Sequence, residues 1–380
     1  MPKKILVCLL VVLLWLNCLN FWSACAKAEN TSLNVNAGAY VLMDAITGRV
    51  LIENNSEERR AMASTTKIMT AIIALERGDL TSKVRVSGRA SAVRGSSFRL
   101  EPGEEMSLES MLYGLLLPSG NDAAVAIAEH IGGSVENFVK LMNQKALEIG
   151  AVNTHFMNPH GLDAPGHYTT AKDLALIARY ALTMPKFREI VKTPQKEILE
   201  GNFPRRLYNT NKLLWRFEGA DGVKTGYTGK AGKCLVASAT RDGIQLISVV
   251  LGTRDHFGNS FNLLSYGFSR FKPLEVVNEG KIYGEIIVEN GVIDKSPLAA
   301  KYDVLLPVEK GETVNLRAVT PDKIKAPVYK GQEIGELHIY INGKPVYKTP
   351  LVAVWDIREK TLFDTLYKIL RQWLSLNGAL

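Results

Sequence analysis

Hydrophobic and polar positions alternate over residues 37–53, as Ala39-Tyr40-Val41-Leu42-Met43 and then Arg49-Val50-Leu51-Ile52. A polar break from Asp44 to Gly48 separates the two runs, which predicts a two-stranded hairpin. An apolar run, Ala71 to Leu75, follows within a helix that opens near Ser64 and stops at Arg77-Gly78, a basic last turn and a C-cap glycine. Residues 85–102 are polar and contain glycine, and predict loops with short strands. Helical spacing then predicts helices over 108–117, 123–130, 137–149 and 170–182. Ser107, Asn121-Asp122 and Thr169 or Thr170 supply polar starts for three of them. From Gly222 the pattern turns to strands, over 222–226, 234–240 and 245–252, with Asp242-Gly243 as the turn between the last two. A helix around 260–271 closes this part.

Beyond Pro273 the pattern is of short strands only, at 285–288, 304–306, 313–316 and 337–340. Asn290-Gly291 and Asn342-Gly343 read as hairpin turns. This predicts a small all-β module. The last stretch, 360–376, is helical, with Leu362, Phe363, Leu366, Ile369, Leu370, Trp373 and Leu374 on one side. Lys360, Asp364, Lys368, Arg371 and Gln372 fall on the other. It is too short and too charged to span a bilayer, but suits lying in the membrane surface with Trp373 and the basic residues at the interface. Docking of the same face on the chain's own β module is the competing reading. Strand, helices, then strands make the main part an α/β fold, a sheet flanked by helices.

At 380 residues the chain is long enough for a large core and two domains. The net charge of +8 is spread rather than gathered in a stripe, which gives no RNA- or DNA-binding signature. A basic surface suits anionic envelope polymers or lipid head groups. The first 28 residues read as an export signal: Lys3 and Lys4, an apolar run from Ile5 to Leu19, and the small-x-small site Ala26-Lys27-Ala28. An uncleaved anchor helix is the alternative, opposed by Asn17 within the run and Asn20 directly after it. Cys25 invites a lipoprotein reading, but Trp22 before it is a poor match. Cys8, Cys18 and Cys25 all lie in this segment, so the processed chain keeps only Cys234 and no internal disulfide. Cys234 stands in an apolar run and reads as core. The domains expected are thus residues 1–28 (signal), 29–273 (catalytic), 274–353 (all-β) and 354–380 (amphipathic helix).

Chemistry enters at Ala63-Ser64-Thr65-Thr66-Lys67-Ile68-Met69-Thr70. Three residues apart, Ser64 and Lys67 share one helix face, a hydroxyl with a candidate base beside it. Ser64 falls in the first turn, where free backbone N–H groups favour a developing oxyanion. Lys67 projects from an otherwise apolar helix; neutrality at pH 7 costs about 4.6 kcal/mol, which burial and a second cation can supply. A surface serine and a snorkelling lysine are the bland alternative. Alone, Ser-x-x-Lys is weak: about one is expected by chance, and Ser269 to Lys272 is another.

Order makes it informative. Ser-x-Asn also occurs at Ser32, Ser260 and Ser375, and Lys-Thr at 192, 348 and 360 without a following glycine. Yet one series alone runs Ser-x-x-Lys, Ser-x-Asn, Lys-Thr-Gly: Ser64–Lys67, Ser119–Asn121, Lys224–Gly226. It is the signature of penicillin-binding proteins and class A β-lactamases. With Asn158-Pro159-His160-Gly161-Leu162-Asp163, Tyr168 to Ala175, and Lys224 to Thr228 through Ala231-Gly232, the chain resembles the low-molecular-mass penicillin-binding proteins, the serine-type D-alanyl-D-alanine carboxypeptidases of peptidase family S11. The resemblance covers roughly residues 36–351, and the trailing β module and terminal helix match its architecture.

The resemblance implies the penicillin-binding-protein/β-lactamase fold, an antiparallel sheet flanked by helices. It implies Ser64 as nucleophile, Lys67 as base and Ser119 as proton relay. Asn121, Lys224, Thr225 and Gly226 would bind substrate, and the Ser64 and Tyr227 N–H groups would form the oxyanion hole. Expected partners are peptidoglycan pentapeptide stems, β-lactams as inhibitors, and the outer face of the cytoplasmic membrane through the terminal helix. The localisation expected is exported and peripherally membrane-attached. No cofactor, metal or nucleic acid is expected. His160 and His167 read as loop-structuring. A class A β-lactamase would want Glu-x-x-Leu-Asn between Ser119 and Lys224, which is absent. Gly-x-Ser-x-Gly and His-Glu-x-x-His are also absent. A non-catalytic peptidoglycan-binding protein remains the reading of a different class.

Overall fold

The computed structural model describes residues 33–376; the expected export signal, 1–28, lies outside them. The predicted hairpin is present as β1 (Ala39–Asp44) and β2 (Val50–Asn54), in antiparallel register with Tyr40 opposite Asn54. The turn is locked by the Asp44 carboxylate, which accepts from the Thr47 N–H at 3.0 Å. β7 (Ala220–Thr228), β8 (Gly232–Arg241) and β9 (Ile244–Thr253) complete an antiparallel sheet in the order β2-β1-β9-β8-β7. Asp242 and Gly243, both at positive φ, make the β8–β9 turn. β1 and β9 are buried almost throughout rather than alternately, because both sheet faces are covered. Val41 and Met43 join the main core, while Leu42 on the opposite face lies where a Cβ on Gly267 would touch it.

Gly267 belongs to α8 (His256–Arg270), longer at its start than the 260–271 expectation because Asp255 caps it. The remaining helices, in order, are α1 (Lys67–Arg77), the single turn α2 (Gly88–Ser91), α3 (Leu108–Leu116), α4 (Asn121–Gly132), α5 (Val135–Ile149), α6 (Ala171–Thr183) and α7 (Pro185–Lys192). Ser107, Ser134 and Thr170 accept from backbone N–H groups three residues on and open α3, α5 and α6. α4 begins at Asn121, two residues before the expected start, so Asn121 lies on the helix rather than ahead of it. Short pairs β3 (Lys83–Arg85) with β4 (Glu105–Ser107), and β5 (Gln195–Ile198) with β6 (Arg205–Tyr208), flank the core. α7 and the β5–β6 pair were not anticipated from the sequence.

A second apolar cluster, including Val277, Ile286, Leu298, Leu337, Ile339 and Leu351, lies in the all-β part. β10 (Phe271–Val277) pairs with β13 (Val304–Glu309). β11 (Ile282–Glu289), β12 (Lys295–Ala300), β14 (Val314–Val319), β15 (Lys323–Lys325), β16 (Glu333–Ile341) and β17 (Lys344–Ala353) form a six-stranded sheet. Asn342-Gly343 makes the expected two-residue turn, both at positive φ. Asn290-Gly291 does not: β11 and β12 are joined by a longer loop in which Gly291 bridges to Glu359. The terminal helix α9 (Leu362–Leu376) follows. Leu362, Phe363, Leu366, Tyr367, Ile369, Leu370 and Trp373 are all exposed, from 56% to 83%, which does not fit docking of that face on the β module. No helix among the described residues is long and apolar enough to cross a membrane.

Candidate active site

Ser64 stands not in the first turn of α1 but in a 3-10 turn, Ala63–Thr66, that leads into it. Thr65 and Thr66 turn their hydroxyls back onto the Met62 and Ala63 carbonyls, at 2.6 and 2.8 Å, which tightens the chain there. In a 3-10 turn residues three apart eclipse, and the Lys67 Nζ lies 2.9 Å from the Ser64 Oγ. Ala63, immediately before Ser64, takes φ +48°, uncommon for a residue with a Cβ.

Lys67 is fully buried. Burial, then the charge of Lys224, holds its amine well below the ordinary lysine range, against a smaller opposing pull from Asp122. The Nζ also lies 2.7 Å from the Asn121 Oδ1 and 2.7 Å from the His160 carbonyl. The Asn121 Nδ2 donates to the Arg94 carbonyl at 2.7 Å, which fixes the orientation of that amide. The neighbouring Asp122 carboxylate accepts from the Ser97 hydroxyl and the Phe98 and Leu100 N–H groups. Segment 94–100 is thereby tied to the start of α4.

Ser119, in the link between α3 and α4, is at φ +68° and 5% exposed, and its buried Oγ has no hydrogen-bond partner among the described residues. A buried hydroxyl left unpaired costs about 1–3 kcal/mol.

β7 is an edge strand, paired among the described residues with β8 alone, with Lys224 opposite Val236 and Gly226 opposite Cys234. Its other edge lies against the Ser64 turn. A Cβ on Gly226 would stand 3.0 Å from the Ser64 N and 3.1 Å from the Ala63 Cβ and the Met62 O. The glycine therefore admits the close approach of the 62–64 chain, whereas the expectation from sequence was an approach of substrate. Lys224 is 1% exposed, forms no ion pair among the described residues, and is pushed down to about 7 by burial. Thr225 Oγ1 lies 2.7 Å from Thr210 Oγ1, and Tyr227 is 69% exposed. Cys234 is buried, and burial pushes its thiol up to about 11.

The three motifs, distant in sequence, thus converge: Lys67 touches Ser64 and Asn121, Lys224 acts on Lys67, and Gly226 abuts Ser64. The described residues hold no group of three or more His, Cys, Asp or Glu placed to bind a metal. Sequence reasoning missed the His160 and Arg94 carbonyls, because a backbone acceptor leaves no mark on residue type. It also missed Thr210, for which no motif exists.

The family described as D-alanyl-D-alanine carboxypeptidase matches residues 25–255. The chain belongs to that family. The C-terminal domain of penicillin-binding protein 5 matches residues 271–359. The carboxypeptidase DacF of Bacillus subtilis is 36% identical over 371 residues, 93% of this chain and 95% of that protein. The carboxypeptidase DacC of Escherichia coli is 36% identical over 364 residues, 90% of each. Among solved structures, penicillin-binding protein 5 from Haemophilus influenzae aligns with 34% identity and a TM-score of 0.71, over 87% of this chain and 99% of that one. The antiparallel sheet with its helices and the all-β part are accordingly the fold of these D-alanyl-D-alanine carboxypeptidases.

Proposed function

We propose that this D-alanyl-D-alanine carboxypeptidase removes the terminal D-Ala from peptidoglycan stem peptides through an ester on Ser64, with Lys67 as the base. One observation carries the reading. A neutral lysine amine has two N–H groups and one lone pair; the Asn121 Oδ1 and the His160 carbonyl can only accept, so they take the two N–H groups. The lone pair is left facing the Ser64 hydroxyl at 2.9 Å.

Ser64 Oγ attacks the carbonyl carbon of the penultimate D-Ala and its proton passes to Lys67. The Ser64 and Tyr227 N–H groups receive the oxyanion. The C–N bond breaks, and the leaving D-Ala nitrogen takes a proton from Lys67 by way of the Ser119 hydroxyl. Water then hydrolyses the ester. Lys224, buried with no ion pair among the described residues, and Thr225 with Thr210 suit the substrate's terminal carboxylate, and the edge of β7 that faces the Ser64 turn suits pairing with the stem peptide. Asn121 orients Lys67 and keeps one amide hydrogen for substrate. A β-lactam would acylate Ser64 by the same steps.

Exposure of the apolar face of α9 supports peripheral attachment to the outer face of the cytoplasmic membrane after export directed by residues 1–28. The test of the catalytic reading is release of D-alanine from a peptide ending in D-Ala-D-Ala. Wild type should release it and Ser64→Ala should not; equal release by the two would refute it.

A further inference from the structure

Resting on the proposed role of the Ser64 N–H, we infer that His167 is a positioning residue: through Thr66 it pins the Ala63–Ser64 peptide and so aims that N–H at the oxyanion. The hydrogen bonds allow one arrangement. The His167 Nδ1 accepts from the Met157 N–H at 3.0 Å, so the ring proton is on Nε2. Nε2–H donates to the Thr66 Oγ1 at 2.9 Å, and the Thr66 hydroxyl spends its single proton on the Ala63 carbonyl at 2.8 Å. Both side chains are buried, at 6% and 0% exposure, and the Phe156 ring meets the imidazole edge-on. Burial pushes His167 down to about 4, which keeps Nδ1 an acceptor under working conditions.

The Ala63 carbonyl and the Ser64 N–H belong to one planar trans peptide and point in opposite directions. Holding the oxygen therefore fixes where the N–H aims. Gly161 packs closely on the same oxygen: a Cβ there would overlap it and stand 2.9 Å from Thr66 Oγ1, and Gly161 is at φ +90°. The residue before Gly161 gives its carbonyl to Lys67. Loop 158–167 thus governs both functional groups of the Ser-x-x-Lys turn, the base at one end and the oxyanion donor at the other. Ala63 itself is held at positive φ, a conformation of order 1–3 kcal/mol above the common ones. Without the Thr66–His167 bonds this peptide has reason to rotate.

An aimed donor acts on the transition state and not on substrate binding. His167→Phe keeps the ring and removes the bonds; it should lower the rate constant for acylation by benzylpenicillin, and kcat, about tenfold or more, with KM within about twofold. Thr66→Val, isosteric, should do the same and carries the test should His167→Phe fail to fold. His167→Gln restores a donor near the Nε2 position, and Thr66→Ser restores the hydroxyl; each should recover most of the loss. Wild-type acylation by both His167→Phe and Thr66→Val overturns the inference, as does a loss that falls in KM or that the conservative variants do not rescue. Failure of wild type itself to acylate would instead refute the function on which it rests.

Discussion

Lys67 is driven from its charged form by burial and by Lys224 while three polar groups surround its nitrogen. Lys67→Ala should lower acylation by roughly 10²–10⁴-fold, the range of a lost general base. It should still fold, since the substitution removes a buried amine and leaves two carbonyl-type acceptors unpaired, a cost of about 1–3 kcal/mol each. Near-normal turnover by a folded variant would exclude the assignment. Lys224 gives a pH dependence of definite sign. With its amine at about 7, it is charged below that pH and loses its proton above it, so recognition of a substrate carboxylate should weaken on the alkaline side. The prediction is a fall in kcat/KM above about pH 7 that Lys224→Arg, which keeps its charge, removes. A wild-type profile flat to pH 9 would contradict it. At this scale the grouping of Ser64, Lys67, Asn121 and Lys224 was legible because the order of their motifs in the chain is distinctive. What sharpens their roles was not: the Arg94 and His160 carbonyls, the orphan Ser119 hydroxyl and the pairing of Thr66 with His167 arise only when remote segments meet.

Among the elements, the contact between β7 and the 62–64 turn fixes where Ser64 stands relative to the strand. Gly226→Ala would put a methyl 3.0 Å from the Ser64 N and 3.1 Å from the Ala63 Cβ, so the turn must shift. Acylation should fall by tenfold or more while the thermal midpoint drops by only a few degrees, as overpacking at one site costs about 1–3 kcal/mol. Unchanged acylation would show that the contact is not needed. The helices α3 to α6 followed from apolar spacing, with Ser107 and Thr170 as caps; the Ser134 cap of α5 was not anticipated. The start of α4 was misplaced because Asn121 and Asp122 look like caps, whereas their side chains are turned to Lys67, Arg94 and the 97–100 backbone. α7 and β5–β6 escaped notice because their residues are largely polar.

For the whole molecule, the sheet with its helices builds the site, and the all-β part is followed by α9, whose apolar stripe is exposed among the described residues. Truncation before Leu362 should leave kcat on a soluble peptide unchanged and abolish cosedimentation with vesicles containing anionic lipid. Retained binding by the truncated chain would refute attachment through α9. The amphipathic pattern of this helix was legible, but exposure of its apolar side was not, since the same pattern serves a docked helix equally well. The central claim, an acyl-enzyme on Ser64, is tested most directly by the intact mass of the protein followed over time with benzylpenicillin, beside Ser64→Ala. The account predicts a persistent adduct of one drug molecule on wild type and none on the variant. An adduct on both, or none on wild type at any time, would contradict it.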